Sequence, residues 1–157
     1  MRVTCTANRV DAIADADVRG RLRRSIHVEG PLADITVGSE YEVQALEERD
    51  GGIWLFLHTV FENEYPFPYP AEMFELCDGS IPVGWAIRLQ KVAGTVTVRR
   101  ITFPSWAADE SYYERLVDGD TATSANYRLH GAHHDRERLD RRRADDDAEH
   151  EPGPGTG

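Results

Sequence analysis

Lysine is almost missing from this chain: of 18 basic residues only Lys91 is lysine, and the rest are arginine. That bias is expected from a GC-rich genome more than from function. Cysteine is scarce too. Cys5 and Cys77 lie far apart, which excludes a disulfide framework and predicts two reduced thiols buried as small hydrophobes. No apolar run reaches the roughly 18 residues of a membrane-spanning helix. The N-terminal stretch has no continuous apolar segment and carries Asp11, Asp15 and Asp17, so no secretory signal is expected and the cytoplasm is the default compartment. Also absent are a Walker A loop, GxGxxG, HExxH and GxSxG, the signatures of phosphate cradles, dinucleotide sites, zinc proteases and serine hydrolases.

What is present is acidic and globular. The chain has 157 residues, 40% hydrophobic and 29% charged, which fits one soluble domain. The net charge of −10 is concentrated: residues 29–78 hold twelve Asp and Glu against Arg49 alone. Such a surface repels phosphate backbones, so nucleic acid is not an expected partner.

Local patterns read mainly as strands. Val3 and Cys5 alternate with polar neighbours, as do Tyr41, Val43 and Ala45. Arg49-Asp50-Gly51-Gly52 has the residues of a tight hairpin turn. Ile53–His58 is an almost unbroken apolar strand, which implies burial on both faces. Residues 10–24 are a weak helix or an ordered loop. The arginines at 19, 21, 23 and 24 form a solvated or internally paired face. The prolines at 66, 68 and 70 predict no regular structure over 61–70. Ala71–Leu76 is expected to open with a 3₁₀ turn and deliver Phe74 and Leu76 to the core. Further strands are expected over Ile81–Leu89 and Thr95–Phe103, turning at Gly94. Asp109 suits the N-cap of a helix over Glu110–Val117, with Trp106, Tyr113, Leu116 and Val117 on one face. Residues 122–129 alternate as a closing strand. From His130 onward large apolar residues nearly vanish, which predicts a charged tail over 130–157, solvated helix or disordered.

Thr36-Val37-Gly38-Ser39-Glu40-Tyr41-Glu42-Val43, the apolar strand, and Tyr69-Pro70-Ala71-Glu72-Met73-Phe74-Glu75 resemble a "TVGKxYxV…YPAxLFE" outline. Phe103-Pro104-Ser105-Trp106, Tyr112-Tyr113-Glu114 and Leu116-Val117-Asp118-Gly119-Asp120 resemble its "FPEW…FYE…LVDGD" ending. The outline belongs to a family of uncharacterised bacterial proteins, and the chain departs from it at Ser39. The resemblance implies a mainly β fold with one or two short helices: a small SH3-like barrel over 1–129, a C-terminal helix packed on its side, and the tail beyond. It implies no reaction and no catalytic residues.

The candidate contact surface is the acidic, aromatic loop. Trp54, Tyr65, Phe67 and Tyr69 either line a groove for an extended peptide or pack as satellite core, and Glu62 and Glu64 supply acidity beside them. A basic protein is the natural complement. His130, His133 and His134 beside Asp135 are expected to be an exposed tail without metal. His58 is expected to be structural; Cys77 is a poor candidate nucleophile, because the neighbouring Asp78 carboxylate disfavours its thiolate, and is expected to be buried instead. No metal, cofactor or catalytic residue is assigned. The leading expectation is an intracellular, non-enzymatic protein-interaction module. The alternatives are an immunity- or antitoxin-like neutraliser of a basic toxin and a small hydrolase using the carboxylates at 62, 64, 72 and 75.

Overall fold

Mainly antiparallel β-structure carrying a few short helices is what the computed structural model shows, describing residues 1–59 and 65–130. The strands are β1 (Arg2–Cys5), β2 (Glu40–Arg49), β3 (Gly52–Leu57), β4 (Phe67–Pro70), β5 (Phe74–Asp78), β6 (Ala86–Val92) and β7 (Thr95–Thr102). The helices are α1 (Ala16–Ser25), α2 (Pro104–Ala108), α3 (Tyr112–Val117) and α4, helical over the described residues 121–130. The pairing path runs β4-β3-β2-β1-β5, and its two ends are not hydrogen-bonded to each other. β2 is the shared element. Its start pairs with β1, its end pairs with β7 through Leu46 and Glu47, and β3 runs along its other edge.

Period-two alternation sets the register of β2. Tyr41, Val43 and Ala45 are buried, and Glu42 and Gln44 are half-buried. The β2–β3 turn places Asp50 at φ 53° and Gly51 at φ 72°, the two positive dihedrals a two-residue hairpin turn requires. A Cβ on the following Gly52 would overlap the Arg21 guanidinium, which is held by Glu72.

β3 is buried from Trp54 to Leu57 because it separates two apolar clusters. Leu55 and Leu57 join Val3, Cys5, Leu22, Val43 and Met73 on one side. Phe56 faces Ala45, Phe103, Trp106, Tyr112, Leu116 and Tyr127 on the other. The first cluster lies within the β1–β5 unit under α1, and the second lies under the C-terminal helices. α1 begins at Asp15, whose carboxylate accepts from the N–H groups of Asp17 and Val18 at 2.8 and 3.0 Å. Its arginines are paired within the chain: Arg21 with Glu72, Arg23 with Asp11, and Arg19 with the carbonyls of Ile13 and Ala14.

Several sequence expectations need correction. Residues 67–70 form a strand despite Pro68 and Pro70. These prolines stand opposite Phe56 and Trp54 on an edge strand, where alternate residues need not donate to the ladder. β6 begins at Ala86 rather than Ile81. Residues 121–130 are helical, not a closing strand. Asp120 accepts from the Thr123 N–H at 2.8 Å, and Thr123, Ser124 and Tyr127 are the buried positions, a helical spacing. The expected helix at 110–117 is the shorter α3, Tyr112–Val117, and α2 precedes it as a separate helix. Asp109 ends α2 and accepts from the Ser111 N–H instead of capping α3. Tyr112, not Val117, joins Leu116 in the core. Leu76 and Cys77 are exposed, because among the described residues β5 pairs only with β1 and has no second layer outside it. The tail from 131 onward, with His133 and His134, lies outside the described residues, as do Glu62 and Glu64.

Candidate functional site

Two of the four candidate rings are closed off. Trp54 is 3% exposed. Its indole N–H donates to the Arg49 carbonyl at 3.2 Å, and the Arg49 guanidinium lies 4.5 Å from the ring centre. Tyr69 is 4% exposed, and its hydroxyl donates to Asp34. Burial, with Asp34 adding to it, pushes that hydroxyl far above the usual tyrosine range, so it stays a donor and ties the segment around Asp34 to β4. The Thr36 N–H to Tyr41 hydroxyl bond at 2.8 Å fixes the same segment to β2. Tyr65 and Phe67 are half-buried, edge to face at 5.4 Å. Tyr65 also meets Tyr113 at 6.5 Å, and Tyr113 donates to the Pro66 carbonyl at 3.0 Å. Burial pushes the Tyr113 hydroxyl up to about 12. These rings therefore fasten the β4 strand to the helical side.

The acidity, by contrast, gathers on the outer face of β2-β1-β5. Val3 and Cys5 point inward, so Arg2 and Thr4 point out. Arg2 stands opposite Glu42 and Asp78, and Thr4 stands opposite Glu40 and Glu75. Four carboxylates thus flank one guanidinium, and Arg2 pairs with Glu40 at 3.0 Å. The Thr4 hydroxyl lies 2.8 Å from the Cys77 sulfur. Asp78 is held below the usual carboxylate range, first by the Ser80 N–H and hydroxyl, with smaller help from the N-terminal amine and Arg2. Among the described residues no group of three or more His, Cys, Asp or Glu is placed to hold a metal ion.

His58, at the end of β3, lies with Nε2 2.7 Å from the buried Tyr127 hydroxyl. It joins α4 to the sheet. His58 keeps solvent contact, but partial desolvation pushes the imidazole below the usual histidine range, and Glu42 opposes this only in part. The unfolded chain therefore takes up the proton first. The stabilisation is full above the unfolded value of about 6.5 and is lost as pH falls from there through the lowered folded value. In His58→Gln the fall in urea midpoint between about pH 6.5 and pH 5 should be shallower than in the wild type. Parallel curves would assign the pH dependence to other groups.

What sequence reading missed is the exposure of the β6–β7 hairpin. Among the described residues its strand pairing with the rest of the sheet is limited to Leu46↔Ile101 and Glu47↔Arg100. Beyond that point Ile87, Leu89, Val92, Val96 and Val98 are all exposed, as are Ile81 and Val83 just before it. The hairpin base is pinned by charge: Arg99 and Arg100 reach Glu47 at 3.2 and 2.8 Å, and Arg88 reaches Glu110 at 3.0 Å. The available signal was the alternation in 86–98. It predicts strands but does not show that no second layer covers them.

No family model matches this sequence, and no curated protein or solved structure matches it either.

Proposed function

We propose that this chain is a non-enzymatic protein-binding module built on an SH3-like β unit. The fold assignment draws on the strand path β4-β3-β2-β1-β5, on β2 serving two sheets, and on the 3₁₀ turn Ala71–Met73 between β4 and β5. The binding assignment is carried by one observation: the β6–β7 hairpin leaves its aliphatic side chains in water, with Leu89 58% and Val96 63% exposed. Contiguous apolar surface of this kind marks interaction sites on soluble proteins. A photo-crosslinking amino acid at Val96, compared with one at the equally exposed Val28, tests it in cells. A discrete protein adduct from position 96 and none from 28 is the expected result. No adduct at 96, or the same adducts at both, counts against the hairpin.

A second reading is favoured by the outer face of β2-β1-β5. Glu40, Glu42, Glu75 and Asp78 there suit a basic protein, including a toxin neutralised in the manner of an immunity protein or antitoxin. Cytoplasmic localisation belongs with this proposal; the described helices include none long and apolar enough to cross a membrane. The hydrolase reading gains nothing from the described carboxylates, since Glu72 is taken by Arg21 and Glu75 lies open to solvent.

A further inference from the structure

We infer that one face of the β6–β7 hairpin docks an extended protein segment that carries aliphatic and acidic side chains together; this rests on the hairpin being a binding surface. The register pairs Leu89 with Val98 and Lys91 with Val96. Paired residues share a face, so three aliphatic side chains and one ammonium form a single exposed patch.

The charge on that patch decides the occupant. Residues 79–108 contain no Asp or Glu, and their basic residues are Arg88, Lys91, Arg99 and Arg100. The carboxylates that touch the hairpin are already engaged: Glu47 by Arg99 and Arg100, Glu110 by Arg88, and Glu48 by the Gln90 amide at 2.6 Å. No carboxylate of the described residues pairs with Lys91, the chain's single lysine. An occupant that covers Leu89, Val96 and Val98 also takes water from Lys91. Burying an unpaired ammonium is unfavourable enough to cancel the apolar gain, whereas a carboxylate from the occupant removes that penalty. The occupant must therefore bring an acidic group.

Its extended form follows from the strand edge. Among the described residues β6 pairs only with β7, so its outer edge offers N–H and C=O groups to an added strand. The register shift beside Arg88 and Leu89 leaves Arg99 of β7 as the extra residue, so β6 itself is continuous and its edge runs along the stretch that carries the patch. A second copy of this chain fits poorly, since two-fold pairing brings a second Lys91 towards the first.

The global field predicts the opposite preference. A chain of net charge −10 attracts basic ligands at long range, so the sign of the preference separates local recognition from bulk attraction. It also separates recognition from a lysine that merely guards an exposed strand edge, for which ligand charge is irrelevant. Three dye-labelled peptides of about twelve residues, alternating valine with glutamate, lysine or serine, would be titrated against the full chain at about 0.15 M salt by fluorescence anisotropy. The glutamate peptide should bind about tenfold or more tighter than the lysine peptide. Lys91→Glu should reverse that order, Leu89→Ser should weaken all binding, and amide protection on binding should fall within 89–98. Equal affinities for the two charged peptides, or an order unchanged in Lys91→Glu, overturn the acidic occupant but leave a binding face in place. A concentration-dependent dimer abolished by Leu89→Ser reassigns the face to a second copy. No binding of any peptide up to about 1 mM removes the binding face and this inference together.

Discussion

Trp106→Ala is expected to destabilise the protein by about 3–5 kcal/mol, read as a lower urea midpoint with an unchanged slope. Trp106 is 0% exposed and is where four elements meet. Its ring lies edge to face with Phe56 of β3 at 5.2 Å and with Tyr127 of α4 at 6.2 Å. It stacks on Tyr112 and Tyr113 of α3 at 5.6 and 5.8 Å. Alanine removes the apolar burial and these ring pairs together, and the short helices around it are too short to hold their shape without packing. Trp106→Phe should cost much less. It keeps an aromatic ring and removes the indole N–H, which is buried and has no acceptor among the described residues. Similar losses in the two variants would show that the site tolerates collapse and that the helices are held elsewhere. Because the inner cluster around Leu57 and Met73 contains none of these residues, β1–β5 pairing should survive in the alanine variant, visible as retained amide protection in β1 and β2.

How much of this was readable beforehand depended on whether a signal was local. The Asp50-Gly51 turn, the alternation of Tyr41, Val43 and Ala45 and the double burial of β3 follow from short-range stereochemistry and from one apolar run, and each appears where expected. The 3₁₀ turn at Ala71–Met73 does too. Pro66, Pro68 and Pro70 misled because a proline's effect on a sheet depends on which edge it occupies, and that is fixed by a strand ten or more residues away. Residues 122–129 misled because Ala125, Tyr127 and Leu129 also alternate by chance, whereas Asp120, Thr123 and Tyr127 carry the helical signal. At the site, Trp54 and Tyr69 looked like groove residues by type, and only tertiary contacts with Arg49 and Asp34 reveal them as internal. The exposed hairpin is the converse case: its composition is that of a core strand, and its exposure follows from the absence of a covering layer among the described residues.

The largest electrostatic effect is expected at Glu47. Glu47→Gln should destabilise by about 3–5 kcal/mol, and Arg100→Met by clearly less. Glu47 is buried on β2 and is the counter-ion of two adjacent guanidiniums, Arg99 at 3.2 Å and Arg100 at 2.8 Å. Arg100 is 3% exposed, and its remaining donors reach the carbonyls of Trp106 and Asp109 at 3.1 Å each, which fixes the C-terminal end of α2 where a cation is favourable. Neutralising Glu47 leaves Arg100 buried beside a second positive charge, with only the more exposed Glu110, at 4.0 Å, as a carboxylate partner among the described residues. Removing Arg100 instead leaves Glu47 still paired with Arg99, and forfeits two carbonyl contacts. The double variant Glu47→Leu/Arg100→Met should therefore lose less than the sum of the single changes, since it removes both charges at once. Burial shields the pair from counter-ions, so raising salt to about 1 M should leave the Glu47→Gln deficit nearly unchanged. A deficit that disappears in salt would place the pair in solvent and remove it as the bond between the sheet, the hairpin base and α2.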